Sequence, residues 1–220
     1  EWGWPEQQLA YIPNYVDAAA YTPRYEPGDY FFYFGRLAME KGVATLIRAA
    51  AQAKVKLRIA GTGPEGDALK ALAAEAGGDV EFLGFVSGES LWKWVREARA
   101  IVLPSEWYEN APMSVLEAYA CGKPVIGAEI GGIPEMVRAG ETGLLFGSGR
   151  TDELADCMHR LAAMPDDAVA GMGRAARQYV STTFTHQRYL NEMLALYAEL
   201  GVAVGGTQRS KQYKNRGEAA

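Results

Sequence analysis

Two cations and two carboxylates have the types and spacing to do chemistry together. Arg36 and Lys41 share the segment Gly35-Arg36-Leu37-Ala38-Met39-Glu40-Lys41-Gly42, directly after the aromatic run Tyr30 to Phe34. Gly35 permits a sharp exit from that run. An arginine forks onto phosphate oxygens and a lysine acts as a point charge, so the pair suits a diphosphate. A solvated basic loop is the alternative for this segment taken alone. Glu109 and Glu117 flank Pro112 in Pro104-Ser105-Glu106-Trp107-Tyr108-Glu109-Asn110-Ala111-Pro112-Met113-Ser114-Val115-Leu116-Glu117-Ala118. Pro112 reads as a helix start, with Asn110 or Ala111 just before it, and the free N–H groups of a helix N-terminus attract anions. Pro112 has no N–H, so a backbone contact to phosphate must come from Met113 or Ser114. Glu117 sits among Val115, Leu116, Ala118 and Tyr119, which is poor company for a merely solvated carboxylate. Two carboxylates beside a phosphate-attracting site make sense if the ligand also carries many hydroxyls to donate to them.

Three further loops could touch such a ligand. Gly61-Thr62-Gly63-Pro64-Glu65-Gly66 formally matches a dinucleotide fingerprint, with Glu81 about where its ribose acid would stand. The run follows the second strand, however, and the fingerprint belongs to the first turn of its sheet. A tight turn near a ligand is the better reading, and Pro64 fits as the first residue of a helix. Gly84-Phe85-Val86-Ser87 offers a flat apolar lip and backbone groups for a nucleobase; a strand end capped by Ser87 is equally good. His159 and His186 read as structural or surface residues.

The elements that must position these loops alternate. Strands are predicted at Tyr30–Phe34, Leu57–Ala60, Val80–Leu83, Ile101–Leu103, Val125–Gly127 and Gly143–Phe146. Helices are predicted at Val43–Ala53, Glu65–Ala76, Glu89–Ala98 and Met113–Ala120. Short continuous apolar strands between helices point to a parallel sheet covered on both faces. In such sheets ligands bind at the carboxyl ends of the strands, where the strand order reverses. After Phe146 the pattern is helical: Thr151–Ala163, with Thr151 as cap and Glu153 in the first turn, Asp166–Ser181, and His186–Leu200. The last has an apolar stripe of Tyr189, Met193, Leu196, Tyr197 and Leu200. Gly201 to Ala220 reads as a flexible basic tail whose Arg209, Lys211, Lys214 and Arg216 could touch a membrane surface; an inert tail is the alternative.

The totals fit this picture. The 220 residues are 49% hydrophobic, enough for a large core, and the formal charge of −5 argues against a general nucleic-acid binder. Cys121 and Cys157 have no metal-ligand spacing and read as buried free thiols in a reducing compartment. No window approaches the ~18 apolar residues of a membrane span. No signal peptide is visible, and an opening of Glu1-Trp2-Gly3-Trp4 reads as an excised fragment.

The ordered set of motifs resembles the family 4 glycosyltransferases, also called group 1, from about Ile12 to Leu200. It comprises Ile12-Pro13-Asn14 with Val16-Asp17, Gly35-Arg36 with Glu40-Lys41-Gly42, and Gly61-Thr62-Gly63-Pro64. Phe82-Leu83-Gly84-Phe85, the Glu109–Glu117 pair and Cys121-Gly122-Lys123-Pro124-Val125 follow, then Gly131-Gly132-Ile133-Pro134-Glu135 and Gly140-Glu141-Thr142-Gly143. The resemblance implies the C-terminal, donor-binding half of a GT-B architecture: a Rossmann-like, doubly wound parallel sheet with trailing helices. It implies an interdomain linker and lead-in segment at 1–28, a nucleotide-sugar-binding domain at 29–200 and a tail at 201–220.

The implied activity is sugar transfer from a nucleoside-diphosphate sugar with retention of anomeric configuration, by front-face attack, without a metal or cofactor. By that resemblance Arg36, Lys41 and Glu109 are catalytic. Arg36 and Lys41 hold the leaving diphosphate, Glu109 the transferred sugar, Glu117 the ribose, and backbone near Phe85 and Val86 the base. The implied partners are the nucleotide-sugar donor and an N-terminal acceptor domain that this chain lacks. The fragment is therefore expected to be inactive alone. The implied setting is cytoplasmic polysaccharide biosynthesis, with peripheral membrane contact of the full-length enzyme left open. Tyr15 replaces a usual glycine, and Asn110-Ala111-Pro112 a usual glycine-aromatic-glycine run, which leaves sugar and base open. The competing readings are a non-catalytic nucleotide-sugar-binding module, a sugar-nucleotide epimerase, and an NAD-dependent oxidoreductase built on Gly61.

Overall fold

Residues 3–5 and 8–202 are described by a computed structural model. The basic cluster Arg209 to Arg216 lies outside them. Residues 13–186 form one compact unit, and the described residues before 13 and after 186 belong to a second.

The larger unit is built on alternating strands and helices. The strands are β1 (Tyr30–Phe34), β2 (Lys56–Ala60), β3 (Val80–Gly84), β4 (Ala100–Leu103), β5 (Val125–Ala128) and β6 (Gly143–Phe146). They form one parallel six-stranded sheet in the order β3-β2-β1-β4-β5-β6. This is the doubly wound order, and it reverses between β1 and β4. The helices are α1 (Val43–Ala53), α2 (Gly66–Ala76), α3 (Gly88–Glu97), α4 (Met113–Ala120), the short α5 (Ile133–Met136), α6 (Thr151–Ala163), α7 (Asp166–Thr183) and α8 (His186–Glu199). Helix α1 packs against α2 and α6, and α4 against α7.

Side-chain alternation explains β1. Tyr30, Phe32 and Phe34 share one face, where their rings meet Trp92 and Trp94 of α3. Phe31 and Tyr33 take the other face, and both are buried. A strand buried on both sides has no polar face to show, hence its unbroken aromatic run. The ladder between β1 and β4 covers only Phe31–Ala100 and Phe32–Ile101. Both strands run on past it, so a crevice opens at their carboxyl ends.

A helix start and several caps differ from the sequence reading. Helix α2 begins at Gly66, after a turn that contains Pro64. Helix α6 begins at Thr151 itself, behind Arg150, and Thr151 does not cap it. Glu153 instead accepts a hydrogen bond from the Gly147 N–H at 2.8 Å. Ser87 precedes α3 but makes no side-chain cap. The stripe on α8 buries none of its residues, and Leu200 beyond it is exposed.

A buried lysine ties down the segment before β1. Lys123 is 1% exposed and donates to the Glu26 carbonyl at 2.8 Å. The Arg24 N–H reaches back to the Cys121 carbonyl at 3.0 Å. Burial pulls the Lys123 ammonium down to about 8. Cys121 and Cys157 are both free and buried, and burial pushes the Cys121 thiol up to about 12.

Candidate functional site

The crevice between β1 and β4 is walled by the two loops that carry most of the candidate residues. The β1 loop turns at Gly35, leaves Arg36 exposed, and makes a 3-10 turn at Met39–Lys41 before entering α1. The β4 loop runs from Pro104 to Pro112 and enters α4. The Glu106 N–H donates to the Glu40 carbonyl at 2.9 Å, and Thr45 of α1 donates to the Glu106 carboxylate at 2.5 Å. Across the crevice, Lys41 Nζ lies 2.5 Å from Glu109 Oε1. Ser105 Oγ donates to the same Oε1 at 2.9 Å. Lys41 and Glu109 are therefore partners, with 30% and 20% of their side chains exposed. Arg36 has no ion-pair partner among the described residues.

The Glu109 backbone is held as firmly as its side chain. Its carbonyl accepts from the Gly132 N–H at 2.6 Å, and a Cβ on Gly132 would meet the Asn110 carbonyl at 1.8 Å. Only a glycine lets the two loops approach so closely. The Ala111 carbonyl accepts from Asn14 at 3.0 Å. Pro112 precedes α4, as expected. Val115 donates to the Pro112 carbonyl at 3.1 Å, while Met113 and Ser114 before it bring N–H groups to the loop.

Glu117 stands apart from that cluster. It is half-buried on α4, and its hydrogen-bond partner is Tyr21, from the segment before β1. Burial raises the Glu117 carboxyl above its ordinary value, against the hydrogen bond from Tyr21, which lowers it. Burial, reinforced by Glu117, pushes the Tyr21 phenol up to about 12. The Tyr21 ring meets Trp92 edge-on at 4.9 Å.

A cavity of about 360 Å³ adjoins the β1 loop. Its lining includes Gly35, Arg36, Gly61, Phe85 and Val86, so five sequence candidates meet there. Phe85 is 77% exposed, a free apolar lip. Gly61, Gly63 and Gly84 line a second cavity of about 470 Å³ on the other side of the β2 loop.

The glycine run itself packs loop against loop. A Cβ on Gly61 would meet the Gly35 carbonyl at 1.8 Å, and one on Gly63 the Leu37 carbonyl at 2.1 Å. The Leu37 N–H donates to Thr62 at 2.9 Å, and the Glu65 N–H to Leu37 at 3.0 Å. These glycines extend the β1–β2 contact past the strand ends. The run lies after β2, one strand away from the reversal. Glu81 is paired with Arg58 at 2.7 Å on the neighbouring strand. A dinucleotide fingerprint needs the first turn and a free ribose acid, and this segment has neither.

Sequence reasoning missed Ser105, Thr45 and Tyr21 as members of the site. Ser105 and Thr45 carry no local signal, because their partners are distant or lie within an irregular loop. His159 is exposed, and exposed His186 lies against the Tyr15 ring at 5.0 Å. Among the described residues no group of three or more His, Cys, Asp or Glu could hold a metal ion. None of the described helices is long and apolar enough to cross a membrane.

A cation–carboxylate pair at the reversal point of a doubly wound sheet narrows the comparison with known proteins. The profile of the family Glycosyl transferases group 1 matches residues 19–179. The chain belongs to the group 1 glycosyl transferases. It is 35% identical over 178 residues to D-inositol 3-phosphate glycosyltransferase of Mycobacterium avium, covering 77% of this chain and 41% of that one. Among solved structures, sucrose-phosphate synthase from Thermosynechococcus elongatus superposes with a TM-score of 0.76 at 29% identity, over 86% of this chain and 52% of that one. Anabaena HepE in complex with UDP-glucose superposes with a TM-score of 0.69 at 26% identity, over 78% and 49%. This group 1 chain thus spans about half the length of the relatives it matches.

Proposed function

We propose that this chain is the C-terminal, donor-binding half of a family 4 retaining glycosyltransferase. On this reading residues 29–200 bind the nucleotide sugar, residues 1–28 lead in from an N-terminal acceptor domain, and the tail begins at 201. The observation that carries the reading is the Lys41–Glu109 contact at the strand reversal. It places a phosphate-seeking cation and a hydroxyl-seeking carboxylate side by side, which is what the junction between a diphosphate and a sugar requires. The half-length match to relatives supports the domain assignment.

The roles follow from position. Arg36 and Lys41 bind the diphosphate and stabilise it as it leaves, with the N–H groups of Met113 and Ser114 as further donors. Glu109 accepts hydrogen bonds from the transferred sugar. Glu117, half-buried and already accepting from Tyr21, accepts from the ribose. The base lies against Phe85 and Val86. The acceptor hydroxyl enters on the face from which the diphosphate departs, which retains configuration. Protein cations neutralise the leaving group, so the reaction calls for no resident metal or cofactor. Holding both substrates in register requires the second domain, and this chain alone should bind donor without transferring sugar.

Calorimetric titration tests the reading. UDP and UDP-glucose come first, because HepE was solved with UDP-glucose. GDP, ADP, their sugars and NAD complete the set. Arg36→Ala should weaken the diphosphate by about 1.5–3 kcal/mol, the range of a hydrogen bond to a charged group. Glu117→Gln should weaken diphosphate and nucleotide sugar alike, and Glu109→Gln only the nucleotide sugar. Binding of NAD in preference to every nucleotide sugar would overturn the assignment.

A further inference from the structure

Glu109 presents its two carboxylate oxygens unequally. Both side-chain donors that reach it, Lys41 Nζ at 2.5 Å and Ser105 Oγ at 2.9 Å, converge on Oε1. No hydrogen bond to Oε2 is made by the described residues. Ser105 follows Pro104 at the end of β4 and is 0% exposed. Its carbonyl accepts from Ser148 Oγ at 2.9 Å, so the loop that carries it is anchored from the segment after β6 as well.

We infer that Ser105 is a positioning residue that fixes Glu109 so that Oε2 faces the transferred sugar. This rests on the proposed sugar-binding role of Glu109. Lys41 is shared between Glu109 and the diphosphate, and a bound diphosphate draws its ammonium away. Ser105 is then the donor that remains on Oε1. It comes from a buried backbone position that a ligand does not displace. Without it the carboxylate is free to rotate about its last side-chain bonds and to turn back toward Lys41. A buried hydroxyl whose hydrogen is committed to one oxygen of a carboxylate does more than fill space, because an alanine would fill nearly the same volume.

The test compares nucleoside diphosphate with nucleotide sugar. The chain and its variants are titrated with UDP, UDP-glucose, GDP and GDP-mannose. Ser105→Ala should weaken the nucleotide sugar about tenfold and leave the diphosphate unchanged, the loss of one hydrogen bond to a charged group. Ser105→Ala combined with Glu109→Gln should be no weaker than Glu109→Gln alone, since both act through one carboxylate. Ser148→Ala, which unloads the same loop without touching Glu109, should not discriminate between the ligands. If the alanine variant fails to fold, Ser105→Cys is read in the same way, because its thiol is a weaker donor. Equal losses for both ligands, or none, in the Ser105 variant while Glu109→Gln remains selective would overturn the positioning role alone. Loss of selectivity in Glu109→Gln itself, or no binding of any probe, would overturn the role of Glu109 and this inference with it.

Discussion

The ion pair between Lys41 and Glu109 can be measured without any ligand. At 2.5 Å, opposite unit charges attract by about 7 kcal/mol at an effective dielectric of ~20 and by about 1.7 kcal/mol in bulk water. Neither figure is the net contribution, because folding also removes water from both groups and orders a long lysine side chain. With 30% and 20% of their side chains exposed, the two groups lie between the surface and the buried regime. Exposed pairs contribute at most ~1 kcal/mol, and breaking a buried pair costs ~3–5 kcal/mol. A coupling energy of about 1–3 kcal/mol follows. The assay is a double-mutant cycle of Lys41→Met and Glu109→Gln, with stability read from urea unfolding of the four proteins. The losses of the two single variants should sum to more than the loss of the double variant, because each single variant leaves the partner's charge half-buried. The double variant should recover part of the loss. Added salt should reduce the coupling only modestly, since the contact is far shorter than the ~10 Å screening length at 0.1 M. A coupling below ~0.5 kcal/mol, within the scatter of independent sites, would refute the claim that this pair ties the two loops together.

Two further perturbations test the frame around the site. Gly61→Ala places a Cβ 1.8 Å from the Gly35 carbonyl at a φ of +141°, and both obstacles are backbone. It should destabilise the fold by more than ~3 kcal/mol in urea unfolding, and a cost below ~1 kcal/mol would show that the loops are not packed as described. For Lys123, folding lowers the ammonium from an ordinary 10.5 to about 8. Between those values the unfolded chain holds a proton that the folded chain has released, so stability rises with pH across that window. Measured as the difference between native protein and Lys123→Met, the rise from pH 7.5 to 10.5 should approach ~3 kcal/mol. A difference that does not change with pH would refute the burial of this charge.

The sequence by itself determined the elements and most of the loops that matter. β1, α1, α4, β6 and α6 begin and end where local pattern places them, because their apolar periodicity and bounding glycines or prolines act within a few residues. The place of Arg36, Lys41 and Glu109 after β1 and β4 was legible for the same reason. Their arrangement was not. Lys41 meets Glu109 only because β1 and β4 are neighbours at the strand reversal, a pairing set by the whole sheet. The glycines at 61 and 63 read in sequence as a tight turn near a ligand that formally matches a dinucleotide fingerprint, and their role as a packing surface depends on Gly35 and Leu37 lying against them. Glu117 could be read as buried from its neighbours, but its partner Tyr21 comes from a segment with no periodic signal. Lys123 carries no local mark of burial, because the chain that covers it is Glu26 and its neighbours, ahead of the whole sheet. Local pattern decides where strands and helices form, whereas partners distant in the chain are chosen by packing, which only the folded sheet expresses.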